Sequence, residues 1–246
     1  LTLLSIQRYE TEMDDQELQS WLQRGGTLLT SGTTGPQKEI IQSVNKLSAA
    51  NLVAIESQHL TPGSKVYTVC SMKHAGGLLA QTLPALSIGA EVVIDTFNAY
   101  KFVREITKYT HTHLTPAHCH AVMSTRSFDT LDLSNLWVTC GSDYVTWDII
   151  EAFVKQGAVF MANWGMSEVG PCAINTVFRN MYDVAYYRAY AIDGATIMGD
   201  SFYCEWDIIN SEFCVRGDIC VYNDWFSTGD DVVVNSQGHL YYMGRK

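Results

Sequence analysis

Short apolar runs recur through the first two thirds of the chain, and each is followed by a segment carrying helix signals. The runs are residues 27–30, 66–70, 92–94, 111–114, 136–139 and 158–161. Helices are expected over 43–59, with Ser43 as N-cap, over 76–86, over 99–109, from Pro116, and over 147–156. This alternation predicts an α/β fold: a mostly parallel sheet with helices on both faces. In such sheets ligands bind beyond the carboxyl ends of the strands. Thr30–Lys38, Gly141–Asp143 and Asn163–Glu168 each follow a run, so the three are expected to share one site.

Ahead of the first run, residues 11–24 read as an amphipathic helix with Met13, Leu18, Trp21 and Leu22 on one side, ended by Gly25-Gly26. After residue 173 the pattern becomes short and β-rich, with Ser236-Gln237-Gly238 as a hairpin turn. The expected organisation is an α/β core over 1–172 and a small β-rich subdomain over 173–246. Residues 179–200 carry no readable period.

Thr30-Ser31-Gly32-Thr33-Thr34-Gly35-Pro36-Gln37-Lys38 is the stretch richest in chemistry. Glycines allow close backbone approach and positive φ. Successive backbone N–H groups in such a turn form an anion-binding concavity. Hydroxyls add donors and Lys38 adds charge, a set suited to a polyphosphate. It is not a Walker A loop, because no Gly-Lys-Ser/Thr stands at the required spacing. The other reading is a flexible surface loop.

Net charge bears on the partner. At −10, with pI near 5.0, the chain lacks the basic surface of a nucleic-acid binder. ATP remains compatible, because a few local cations suffice. No apolar run is long enough to cross a bilayer and no signal peptide is read, so no membrane partner is expected. The seven cysteines are scattered without a Cys-x-x-Cys, which points to reduced thiols and a cytoplasmic setting. His111, His113, His118 and His120 invite a metal reading, but no spacing completes a zinc pattern.

Thr30–Lys38 resembles the phosphate loop of the AMP-forming adenylating enzymes, which include acyl-CoA synthetases, peptide-synthetase adenylation domains and beetle luciferases. Gln37 and Glu39 depart from the usual proline and glycine. Further matches follow in the family's order: His74-Ala75-Gly76-Gly77-Leu78, Asn163-Trp164-Gly165-Met166-Ser167-Glu168, Ser227-Thr228-Gly229-Asp230 and Gly244-Arg245. The chain is most like the large N-terminal domain of a short acyl-CoA or aryl-CoA ligase, such as o-succinylbenzoate–CoA ligase.

The resemblance implies ATP and Mg2+ as cofactors and a small-molecule carboxylate as substrate. Thr30, Ser31, Gly32, Thr33, Thr34, Gly35 and Lys38 would hold the phosphates. Gly141 and Ser142 would contact the nucleotide, and Asn163, Trp164 and Gly165 would face the adenine. Asp230 would accept from the ribose hydroxyls, Arg245 would reach ribose or phosphate, and Glu168 would take Mg2+. Lys38, Thr34, Ser167 and Arg245 would serve the reaction, and His74 with Gly77 the acyl side. Alternatives stay open beside these roles: Lys38 as a solvated lysine, Trp164 as a core aromatic, Glu168 as a surface carboxylate. The stretch Ser71–His74 lacks the acid that pairs an amino-acid substrate, which disfavours that class. The family also has a longer segment before the loop and a C-terminal domain after the Gly-Arg hinge. On the resemblance, that lid domain is expected to be absent here, with adenylation impaired. CoA is expected to be used only with such a domain, or a partner in trans. The competing reading is a non-catalytic ATP- or AMP-binding remnant. Oligomeric state is not read from the sequence.

Overall fold

The computed structural model describes residues 6–8, 13–29 and 38–246. Its strands are β1 (Ile6–Arg8), β2 (Gly26–Leu29), β3 (Glu39–Gln42), β4 (Lys65–Thr68), β5 (Glu91–Ile94), β6 (His111–Leu114), β7 (Trp137–Cys140) and β8 (Val159–Met166). There follow β9 (Gly170–Phe178), β10 (Thr196–Gly199), β11 (Ser201–Phe202), β12 (Glu205–Ile209), β13 (Glu212–Arg216), β14 (Phe226–Ser227), β15 (Asp230–Val234) and β16 (Leu240–Arg245).

The main sheet has eight strands in the order β1-β5-β4-β6-β7-β8-β9-β11. Pairing is parallel from β1 to β8, and antiparallel between β8 and β9 and between β9 and β11. The α/β reading with a mostly parallel sheet therefore holds. Period-2 alternation divides the strands between two cores. Val66 and Val92 enter one core, with Leu18, Leu47, Leu79 and Leu83 from helices. Tyr67 and Val93 enter the other, with Phe102, Cys119, Ile149 and Phe153 from helices. Both faces are thus covered, as a parallel sheet requires.

Local signals explain most boundaries. Asp14 caps the first described helix, Asp15–Arg24, by accepting from Glu17 N, while Glu17 accepts back from Asp14 N. That helix begins later than residue 11 because the reciprocal cap sits at Asp14. Gly25 ends it at φ 72°. Ser43 caps Val44–Ser57. The expected helix over 76–86 is present, but Leu78–Thr82 within it is π-helical.

Two features differ from the strand pattern expected. Asn163–Met166 does not follow a strand but forms the second half of β8, because β9 folds back on it with Asn163 opposite Asn175 and Trp164 opposite Ile174. Only the Ser167–Glu168 end lies in a turn. The pattern change at 172/173 falls inside β9. Beyond β9 lie two three-stranded sheets, β10-β16-β15 and β12-β13-β14. Ile197 and Tyr241 of the former pack into the Phe102–Phe153 core. Residues 179–200, unreadable in sequence, hold a helix at Met181–Ala189, capped by Asn180, and then β10. All seven cysteines are buried free thiols.

Candidate functional site

Just after β7 and along the second half of β8 lies a cleft of about 140 Å3, lined also by Thr196–Met198 of β10, Asp230, Tyr242 and Arg245. Ser142, Asn163, Trp164, Gly165, Asp230 and Arg245, six residues singled out from the sequence, line it together. Gly141 lies directly behind: a Cβ there would come within 2.5 Å of both Asn163 O and its Oδ1. The glycine is what lets the ends of β7 and β8 approach so closely. Ser142 takes φ 76°, a left-handed conformation that is costly for a serine and is found at such turns.

Asp230 is the electrostatic centre of the cleft. It is buried, at 4% exposure. Trp164 Nε1 donates to Oδ2 at 2.9 Å, and Arg245 Nε stands 3.5 Å from Oδ1. Arg245 Nη2 also donates to Thr228 O at 3.0 Å, and Thr228 Oγ1 accepts from Asp230 N at 3.1 Å. Burial pushes the Asp230 carboxyl above the usual carboxylate range, while the Trp164 hydrogen bond and the Arg245 charge pull against it. Each carboxylate oxygen keeps a second acceptor direction. Trp164 packs its ring edge-on to Phe213, centroids 5.4 Å apart, so it both borders the cleft and orients Asp230.

Ser167 and Glu168 occupy the turn between β8 and β9. Glu168 is buried, at 8% exposure, and among the described residues its carboxylate meets neither a hydrogen-bond donor nor a cation. A carboxylate without a partner among the described residues suits a hard divalent cation, and Mg2+ held partly by phosphates needs few protein ligands. The residues present fit that ion.

The remaining candidates are placed unevenly. Residues 30–37, carrying Thr30, Ser31, Gly32, Thr33, Thr34 and Gly35, lie outside the described residues; Lys38 is exposed just before β3. His74 is exposed at the N-terminus of the helical stretch 75–87. Gly77 is buried, and a Cβ on it would collide with the Ser71 carbonyl. It is Gly76 that faces the strand ends: a Cβ there would meet His113 Cε1 at 2.9 Å and Ser142 Oγ at 3.4 Å.

His113 is buried beside Cys70, Nδ1 to Sγ 3.5 Å, and burial pushes its imidazole down to about 4. Burial likewise pushes the Cys70 thiol up to about 12. His111 is held by Gln58 O and Thr110. His118 stacks on Phe97, and His120 is exposed. Among the described residues no group of three or more His, Cys, Asp or Glu side chains is arranged to hold a metal ion.

Thr196, Ile197, Met198 and Tyr242 also line the cleft and escaped the sequence reading. No local signal marked Thr196–Met198. Tyr242 stood in an ordinary alternating strand.

A family model described as "AMP-binding enzyme" matches residues 27–223. Among curated proteins, the chain is 29% identical over 241 residues to an indoleacetate–CoA ligase of Aromatoleum aromaticum, covering 88% of this chain and 46% of that protein. It is 25% identical over 248 residues to a long-chain-fatty-acid–CoA ligase of Escherichia coli, covering 88% and 43%. The chain thus spans about half the length of these relatives. Among solved structures, o-succinylbenzoate CoA synthetase of Bacillus subtilis with its acyl-adenylate intermediate superposes with TM-score 0.75 at 17% identity, covering 91% of this chain and 62% of that one. ATP-bound MatB of Rhodopseudomonas palustris gives 0.74 at 16%, covering 90% and 48%. These two likenesses show the same fold.

Proposed function

The chain belongs to the AMP-binding enzyme family, and from that premise we propose that it activates a carboxylic acid with ATP in the manner of an acyl-CoA ligase. The carboxylate oxygen attacks the α-phosphorus, the bond to the bridging oxygen of the β-phosphate breaks, and acyl-adenylate and pyrophosphate form. The carboxylate is already a nucleophile, so no general base is required. The protein's task is to position the reactants and offset developing charge.

The observation that carries this reading is the Asp230 cluster at the mouth of the strands. Asp230, pre-oriented by Trp164, accepts from the ribose hydroxyls. Gly141, Ser142, Asn163, Trp164 and Gly165 form the adenine side. Thr30, Ser31, Gly32, Thr33, Thr34 and Gly35 with Lys38 hold the phosphates. Thr34, Lys38, Ser167 and Arg245 face the charge that develops on reaction. Glu168 would hold Mg2+, which supplies positive charge to the phosphates when bound.

His74 and Gly77 mark the acyl side. The stretch Ser71–His74 offers no acid to an α-ammonium, and the relatives are named for indoleacetate and long fatty acids, so the substrate is an aryl or acyl carboxylate. CoA is the acceptor once the hinge at Gly244-Arg245 is followed by a C-terminal domain, in cis or in trans.

Carboxylate-dependent exchange of pyrophosphate into ATP tests this, with aromatic acids, fatty acids and amino acids in parallel. Exchange with aryl or fatty acids, lost in Glu168→Gln, is expected. Exchange confined to amino acids, or indifferent to Glu168→Gln, would overturn the assignment.

A further inference from the structure

Three successive carbonyls around the turn that carries Glu168 are each held by a different donor. Met166 O accepts from Val169 N at 3.1 Å, and Glu168 O from Val221 N at 2.9 Å. Ser167 O accepts from the side-chain amide of Gln42 at 2.6 Å. The first two are backbone bonds that most substitutions leave intact. The third depends on a single side chain far away in sequence.

Gln42 is 2% exposed, on the inner face of β3 with Ile40. β2 leads into residues 30–37 and β3 follows them, and the two strands pair from Leu29 opposite Glu39 down to Gly26 opposite Gln42. The amide therefore fastens the stem of this hairpin to the Ser167–Glu168 turn. The stem has no slack at that point, because a Cβ on Gly25 would collide with the Gln42 carbonyl.

We propose that Gln42 is a positioning residue that fixes the Glu168 carboxylate relative to the phosphate-holding hairpin. This rests on the reading of Thr30–Lys38 and Glu168 given above. A carboxylate and a phosphate loop that share one cation must keep a fixed separation, and here one buried amide couples the two segments. If the amide is lost, Ser167 O loses its donor and the turn shifts. Glu168 then meets the cation less well, while the Asp230 side of the cleft is untouched.

Gln42→Met keeps the side-chain length and removes the donor. The readouts are calorimetric binding of ATP across a Mg2+ series, binding of AMP without Mg2+, and hydrogen–deuterium exchange of the segment 165–170. We expect the Mg2+ midpoint to rise roughly tenfold, below the hundredfold that a misplacement of about 1 Å can cause. Exchange in 165–170 should quicken, and AMP affinity should stay within about twofold of wild type, because AMP relies on Asp230 and Trp164. Gln42→Asn retains an amide but shortens its reach; it should give an intermediate shift, and it serves if the methionine variant does not fold. An unchanged Mg2+ midpoint, or AMP affinity falling in step with it, would overturn the proposal. Glu168→Gln runs alongside. If it shifts the midpoint and Gln42→Met does not, only the role of Gln42 fails. If Glu168→Gln leaves the midpoint unmoved, the reading of Glu168 fails and takes this inference with it.

Discussion

Replacing Asp230 by asparagine preserves shape and removes a charge at the centre of the cleft, and its consequences for binding and for stability have opposite signs. In the wild type the carboxylate is 4% exposed, with one oxygen on Trp164 and the other facing Arg245. A ribose hydroxyl donating to it makes a charge-assisted hydrogen bond worth about 1.5–3 kcal/mol. Losing one such bond weakens ATP binding about 10- to 150-fold. Stability moves the other way. Burial raises the Asp230 pKa, so the stability it contributes is fully present below the ordinary carboxylate value, near 3.8, and is lost as pH rises through the raised folded value. At neutral pH the ionised group is therefore a cost to the nucleotide-free fold. Arg245 relieves it little, because its side chain is 61% exposed and screened. Asp230→Asn without nucleotide should melt at or above the wild-type temperature at pH 7.5, with the gap closing as pH falls toward 3.8. Calorimetry with ATP and thermal melts across pH measure both effects. Equal affinity in the two proteins would refute the ribose assignment. A lower melting temperature at neutral pH would refute the burial argument.

Trp164→Phe keeps a ring against Phe213 but removes the N–H to Asp230, so ATP affinity should fall about 5- to 15-fold in the same calorimetric titration, for the loss of roughly one hydrogen bond's orientation. Gly165→Ala drives a Cβ into the Gly170 carbonyl, a backbone atom that cannot rotate away; thermal melts should show a loss of at least about 1–3 kcal/mol, together with loss of nucleotide binding. His113, with its pKa depressed from 6.5 to about 4, contributes stability that is present above 6.5 and is lost as pH falls through about 4. His113→Gln should flatten the acid limb of the stability–pH curve in that window, read by denaturant titration at several pH values. An unchanged limb would mean that the imidazole is not buried as described.

What was legible in the sequence was whatever the chain encodes locally. The run His111–Leu114 is followed by Pro116 as a helix start, and it forms β6 with all four residues buried. Ser43 and the Gly25 stop act within a turn of their own helices, and both are found where they were read. The candidate site residues just after β7 and on β8, β15 and β16 were legible as motifs, and the cleft brings six of them together. Their mutual contacts were not. The bond from Trp164 to Asp230 spans 66 residues, and the bond from Gln42 to Ser167 spans 125. No spacing rule reaches that far, because such pairs meet only when strand order is fixed.

The same cause explains the misread end of β8. Ala158–Met161 has the composition of a strand, whereas Asn163-Trp164-Gly165 has that of a loop. The latter segment is extended because β9 supplies a partner, and Gly165 admits the close approach of Gly170. Asn163 further donates its amide to Pro171 O, which fixes the two strands side by side. The result has a chemical consequence. Extended backbone from Asn163 to Met166 places Trp164 and Gly165 on a paired strand rather than on a loop, so the side of the cleft proposed to take the nucleotide is held by the sheet itself. The Ser167–Glu168 turn at the end of that strand is in turn tied to the β2–β3 stem by the Gln42 side-chain amide.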